Sequence, residues 1–124
     1  MQYHGPMLKF ELSTREQVAF AQIEGLVSVE AWATVLENLA TALQASAAPP
    51  RLVIDLNGLL GYLGVPERQT VGALMARHLA RMQKVALIVP AHKITNVVHD
   101  EAQRNGLNLR LFPCSDDAHA WVIA

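Results

Sequence analysis

The residues that could do chemistry gather around one stretch of the chain. Asp55 sits near the end of the run Leu52-Val53-Ile54-Asp55-Leu56, and Asn57 opens a segment with glycines at 58, 61 and 64. A carboxylate at the carboxyl end of a buried strand stands where open α/β sheets place their ligands. It could orient a ligand or the Asn57 segment, or it could accept the backbone N–H groups of residues 58–64, a common use of strand-end aspartates. The spacing Gly-x-x-Gly-x-x-Gly is neither the dinucleotide fingerprint nor a phosphate loop, which ends in Lys followed by Ser or Thr. Between and after the glycines stand Leu59, Leu60, Tyr62, Leu63 and Val65. Loops are usually polar and run over the surface, so these side chains need a destination. They fold back over the core, rim an apolar pocket, or form a partner surface.

The ligand-binding candidates are therefore Asp55, Asn57, Leu59, Tyr62 and Leu63, joined by His78 from the helix expected over residues 66–83. At about 100° per residue, Val71, Leu74, Met75, Leu79 and Met82 share one arc, with His78 near its middle. That position suits a packed neutral ring, or a ring facing a cavity beneath the Tyr62 segment. Gly72, Ala76 and Ala80 recur at every fourth residue, with Ala73 beside them, and small side chains let another backbone approach closely. This is the candidate homodimer interface, against the plainer reading that alanine simply favours helix. Arg77, Arg81 and Lys84 form a third, basic stripe that reads as solvated.

The remaining reactive residue types do not assemble into a site. His92 and His99, if they share a helix, stand roughly 10 Å apart along its axis, too far for one metal ion. No Cys-x-x-Cys or His-x-x-x-His occurs, so neither a metal nor a cofactor is expected. Cys114 precedes the last helix with no base nearby in sequence and reads as structural. There is no Gly-x-Ser-x-Gly element and no recognisable pair of acid and base carboxylates, so a non-enzymatic protein is expected.

The elements that must position these residues follow from pattern. In residues 7–13, Leu8, Phe10 and Leu12 alternate with Lys9 and Glu11, a half-buried strand. Residues 17–23 make a second, close enough to pair antiparallel, with Val18 and Phe20 on one side. Ser28 caps a helix whose apolar stripe is Trp32, Val35, Leu36, Leu39 and Leu43, stopped by Pro49-Pro50. The apolar runs around Ile54 and Leu87 are strands buried on both faces. Ile94, Val97, Val98 and Ala102 mark a third helix ending at Gly106. Leu107, Leu109 and Leu111 alternate in a last strand, and Ser115 is the expected cap of a terminal helix. The order ββαβαβαβα predicts an α/β fold with a mostly parallel sheet and an antiparallel N-terminal edge hairpin.

The whole is 124 residues with 52% hydrophobic and 17% charged side chains, which suits one domain with a core of its own, expected over 7–124. A net charge of −1 argues against a nucleic-acid partner. A single cysteine, no signal-peptide pattern and no membrane-length apolar run make a cytoplasmic location the expectation.

Several local sequences fall into a known order. Ile23-Glu24-Gly25 precedes the first helix, Arg51-Leu52-Val53-Ile54-Asp55 and Lys84-Val85-Ala86-Leu87-Ile88 form strands, and Leu109-Arg110-Leu111-Phe112 leads to Ala118-His119-Ala120-Trp121-Val122. In this the chain resembles the SpoIIAA-like group of the STAS superfamily, small bacterial proteins whose relatives approach CRAL-TRIO lipid-binding domains. The resemblance runs from about residue 7 to the C-terminus. It implies a non-catalytic regulatory or protein-interaction domain. The alternative is a carrier or sensor of an apolar small molecule held between residues 57–65 and helix 66–83. One departure is specific. Anti-sigma-factor antagonists of the superfamily carry a phosphorylated serine in an Asp-Ser-Ser-Gly motif shortly past the strand aspartate, where this chain has Leu63-Gly64-Val65-Pro66, and the nearest hydroxyl is Thr70. The phosphorylation switch is not carried over.

Overall fold

A computed structural model describes residues 1–124. Six strands form one sheet: β1 (Gln2–His4), β2 (Leu8–Arg15), β3 (Val18–Leu26), β4 (Arg51–Leu60), β5 (Lys84–Ile88) and β6 (Leu109–Phe112). The helices are α1 (Val29–Ala45), α2 (Val65–His78), α3 (Asn96–Arg104) and α4 (Ser115–Ile123). Strands lie in chain order; β1, β2 and β3 pair antiparallel and β3 to β6 parallel. The α/β class, the parallel sheet and the antiparallel amino-terminal edge are as the pattern predicts. One strand is added outside it. Gln2, Tyr3 and His4 pair with Glu11, Phe10 and Lys9, and Tyr3 stacks on Phe10 at 5.5 Å, so the sheet begins before the expected boundary at residue 7.

The hairpin between β2 and β3 turns through Glu16 and Gln17, with φ of 55° and 83°, closed by the pair Arg15 and Val18. Two successive positive φ angles belong to the tight turn that matches strand twist, normally filled by Asn-Gly. α1 begins as expected, with the Ser28 hydroxyl accepting the Ala31 N–H at 3.0 Å. α2 stops at His78, five residues short of the expected end, and Leu79 and Met82 remain buried in the turn that follows. The α4 cap is Cys114 rather than Ser115, and it caps through backbone alone.

Strand order decides how the helices are shared. Parallel strands that advance steadily in one direction, each joined by a right-handed crossover, send every connecting helix to the same face. α1, α2 and α3 therefore cover one face, where 26 residues including Ile23, Leu36, Leu39, Ile54, Met75 and Leu87 form the main core. Only α4, after the last strand, reaches the other. There Ala118 and Val122 pack on Val18, Val53, Ala86 and Ile88, a core of six.

Candidate functional site

The first part of the stretch expected to be a loop, residues 57–60, is strand, and a bulge decides where its side chains go. Gln22 pairs with Asp55, but Glu24 pairs with Gly58, so β4 carries one more residue than β3 between these points. An extra residue reverses the alternation beyond it. Leu52, Ile54 and Leu56 enter the main core. Uninterrupted alternation would send Leu60 inward as well, whereas the bulge turns Leu59 to the core and Leu60 away from it. Asp55 holds this geometry. Its Oδ1 accepts the Asn57 N–H at 2.9 Å rather than an N–H of residues 58–64, and Asn57 itself points to solvent.

The apolar segment thus divides its side chains. Leu59 and Leu63 pack against the main core, the fold-back alternative. Leu60 is 65% exposed, Tyr62 81% and Val65 48%, so these three do not fold back over the core, and the partner-surface alternative stays open for them. Register places Leu26, itself exposed, directly beside Leu60 on the α4 side of the sheet. The result is an apolar patch at the carboxyl ends of β3 and β4. Gly61 belongs to it for a steric reason: its φ is +98°, and a Cβ there would stand 3.2 Å from side chains of both Leu26 and Val27.

Tyr62 is held in place although exposed. The Arg68 guanidinium lies 5.6 Å from its ring centre, and Arg68 Nη1 donates to Thr95 Oγ1 at 3.1 Å. Arg68 forms no ion pair; the chain has three, Lys9–Glu24, His99–Asp100 and Arg104–Glu101. An exposed ring braced by an unpaired cation thus follows the Leu26–Leu60 pair closely along the chain.

The other sequence candidates lie elsewhere. His78 is half-buried in the last turn of α2, on the helix-rich side of the sheet, whereas Asp55 projects to the opposite side among Gln22, Val53 and Ile88. The two do not share a site. The small-residue stripe is occupied within the chain: Gly72 and Ala76 are buried, and a Cβ on Gly72 would stand 2.8 Å from the Val98 carbonyl oxygen and 2.9 Å from Glu101 Cβ. At Gly72 the closely approaching backbone is that of α3. Ala80 is exposed and Ala73 half-buried at its margin. His92 lies in a short 3₁₀ turn, Ala91–Lys93, and His99 in α3, so they do not share a helix. No three His, Cys, Asp or Glu side chains converge as metal ligands would, and no helix is long and apolar enough to cross a membrane.

One further candidate site has no local sequence signal. On the α4 side, a groove of about 740 Å³ runs between the β2–β3 hairpin and α4. Its floor includes Phe20, Val53 and Ile88, and its rim Glu11, Ser13, Arg15, Gln22, Asp55, Asp116 and His119. Asp55 is its one sequence candidate. Alternation in β2 and β3 put Glu11, Arg15 and Phe20 on a common face, but no local pattern says that α4 leaves that half uncovered.

No protein-family profile and no curated protein matches the sequence. Solved structures do match. An anti-sigma factor antagonist from Mycobacterium paratuberculosis superposes with a TM-score of 0.65 at 21% identity, over 98% of this chain and 100% of that one. An uncharacterized protein from Shewanella loihica with a SpoIIAA-like fold gives 0.61 at 16% identity, over 98% of each chain. The chain has the SpoIIAA-like fold, and the resemblance read from its motifs holds at that level.

Proposed function

We propose that this chain is a non-catalytic, cytoplasmic regulatory domain that docks a protein partner on the patch formed by Leu26, Leu60, Tyr62 and Val65. The observation that carries the reading is the exposure of Leu60 and Tyr62 in a chain whose fully buried side chains are all apolar. Burying a leucine is worth about 1.5–3 kcal/mol, so a folded chain that leaves several large apolar groups at one rim keeps them for an interface. Tyrosine and arginine are the residue types that concentrate binding energy at protein interfaces, and Arg68 braces Tyr62 with its own charge unpaired. The fold supports the same reading, and the name of the Mycobacterium protein makes an anti-sigma factor the first partner class to try.

Docking here does not use a phosphorylated serine. Residues 57–66 contain no hydroxyl other than that of Tyr62, and Thr70 Oγ1 donates to the Pro66 carbonyl inside α2 at 3.1 Å. Self-pairing through α2 is the less favoured docking mode, since α3 already covers Gly72 and leaves only Ala80 exposed on that stripe. An apolar small molecule between residues 57–65 and α2 is the weaker alternative, since Leu59 and Leu63 take up core positions there.

The test is comparative capture from extracts of cells that express the chain naturally. Wild-type protein and the Leu60→Asp variant are immobilised side by side, and retained proteins are identified. A partner retained by the wild type and lost by the variant is the expected result. Equal retention by both, or none by either, overturns the proposal.

A further inference from the structure

The groove between the β2–β3 hairpin and α4 plays no part in the docking reading, and its chemistry differs from that of the patch. Phe20 forms its floor, half-buried, with the His119 ring parallel at 6.0 Å between centroids and 15° between planes. The Arg15 guanidinium lies 5.0 Å from the Phe20 centroid. That ring face therefore already accepts a cation, the arrangement that draws quaternary and protonated amines to aromatic sites. Around it stand four carboxylates, Glu11, Glu16, Asp55 and Asp116, against one guanidinium, Arg15. None of these five charges is tied up in an ion pair. The volume, about 740 Å³, is that of a small-molecule site.

We propose that this groove binds a small organic cation with a flat apolar body. The flat body stacks over Phe20 and His119, displacing the Arg15 side chain, which is exposed and free to swing out. The ammonium turns to Glu11 and Asp116 on opposite walls. An anion would meet four like charges, against Arg15, His119 and the amino end of α4 to attract it. A neutral apolar ligand would leave the carboxylate rim without a role. Glu16 reaches the rim from a turn held at positive φ, so the hairpin places a carboxylate there at a conformational cost.

Tryptamine is the probe and indole-3-propionate, with the same ring and opposite charge, its control. Each is titrated into ¹⁵N-labelled protein and followed by amide shifts. Tryptamine is expected to give saturable shifts around Phe20, Asp55 and His119, and the propionate none at the same concentrations. The double variant Glu11→Gln, Asp116→Asn touches two exposed side chains and is expected to weaken tryptamine at least about fivefold, given what exposed charge pairs contribute. Phe20→Leu is expected to weaken it comparably by removing the ring, and Arg15→Gln to leave it equal or tighter. No saturable shift in the groove, propionate binding as tightly as tryptamine, or undiminished tryptamine binding by the Phe20→Leu variant overturns the proposal. Shifts confined to Leu60 and Tyr62 overturn it as well, and place the amine on the docking patch instead.

Discussion

The two faces of the sheet divide the work of this molecule. One carries three helices and a core of 26 residues; the other carries one helix and a core of six. Each has the same strands behind it. The inequality comes from chain order alone, because three right-handed crossovers in one direction leave the second face to whatever follows the last strand. Stability is concentrated on the first face, and the second keeps open surface: the groove beside α4, and beyond it Leu26 and Leu60 at the strand ends.

Substitutions on the two faces should differ in what they damage. The largest loss is expected at Leu39, fully buried on the inner face of α1, where Leu39→Ala should cost about 2–5 kcal/mol by urea denaturation. A cost below that of any α4 substitution would erase the distinction between the faces. Next comes Gly72→Val. The added atoms must push α3 off α2, for about 1–3 kcal/mol, while leaving the α4 side unchanged in amide spectra. Val122→Ala removes the equivalent of two methylenes from the small core, roughly 1.5 kcal/mol. Hydrogen exchange sharpens the point: α4 amides should open below the global unfolding free energy and those of α1 only with it. The smallest effect is expected at the patch, where Tyr62→Ala should leave stability within about 0.5 kcal/mol.

α4 is held by polar contacts as well as by packing. Lys84 Nζ donates to the carbonyl oxygens of Trp121 and Ala124 at 3.0 and 2.9 Å, and Arg51 Nη1 to that of Ile123 at 3.0 Å. Cations at a helix carboxyl end satisfy carbonyls that have no helical partner. Packing and these contacts together hold α4 over β4 and β5, and the hairpin half is left uncovered.

Much of the fold could be read from the chain because it depends on local pattern. Leu8, Phe10 and Leu12 alternate, and Trp32, Leu36, Leu39 and Leu43 keep helical spacing; both patterns survive unchanged. What could not be read depends on a partner strand or a neighbouring helix. The orientation of Leu59 and Leu60 is set by a bulge that only the register against Gln22 and Glu24 reveals. Gly72 announces close approach but not by whom. Gln2, Tyr3 and His4 have no periodicity of their own and become a strand by pairing with β2. The groove is defined by where α4 stops, a property of packing rather than of any segment.

The most direct test of the docking claim is the dissociation constant of a captured partner for wild type, for Leu60→Asp and for the groove variant Glu11→Gln, Asp116→Asn. At least about tenfold weaker binding by Leu60→Asp, corresponding to about 1.4 kcal/mol, with melting temperature unchanged and the groove variant binding as wild type, is the predicted result. Binding by Leu60→Asp that equals wild type would contradict it.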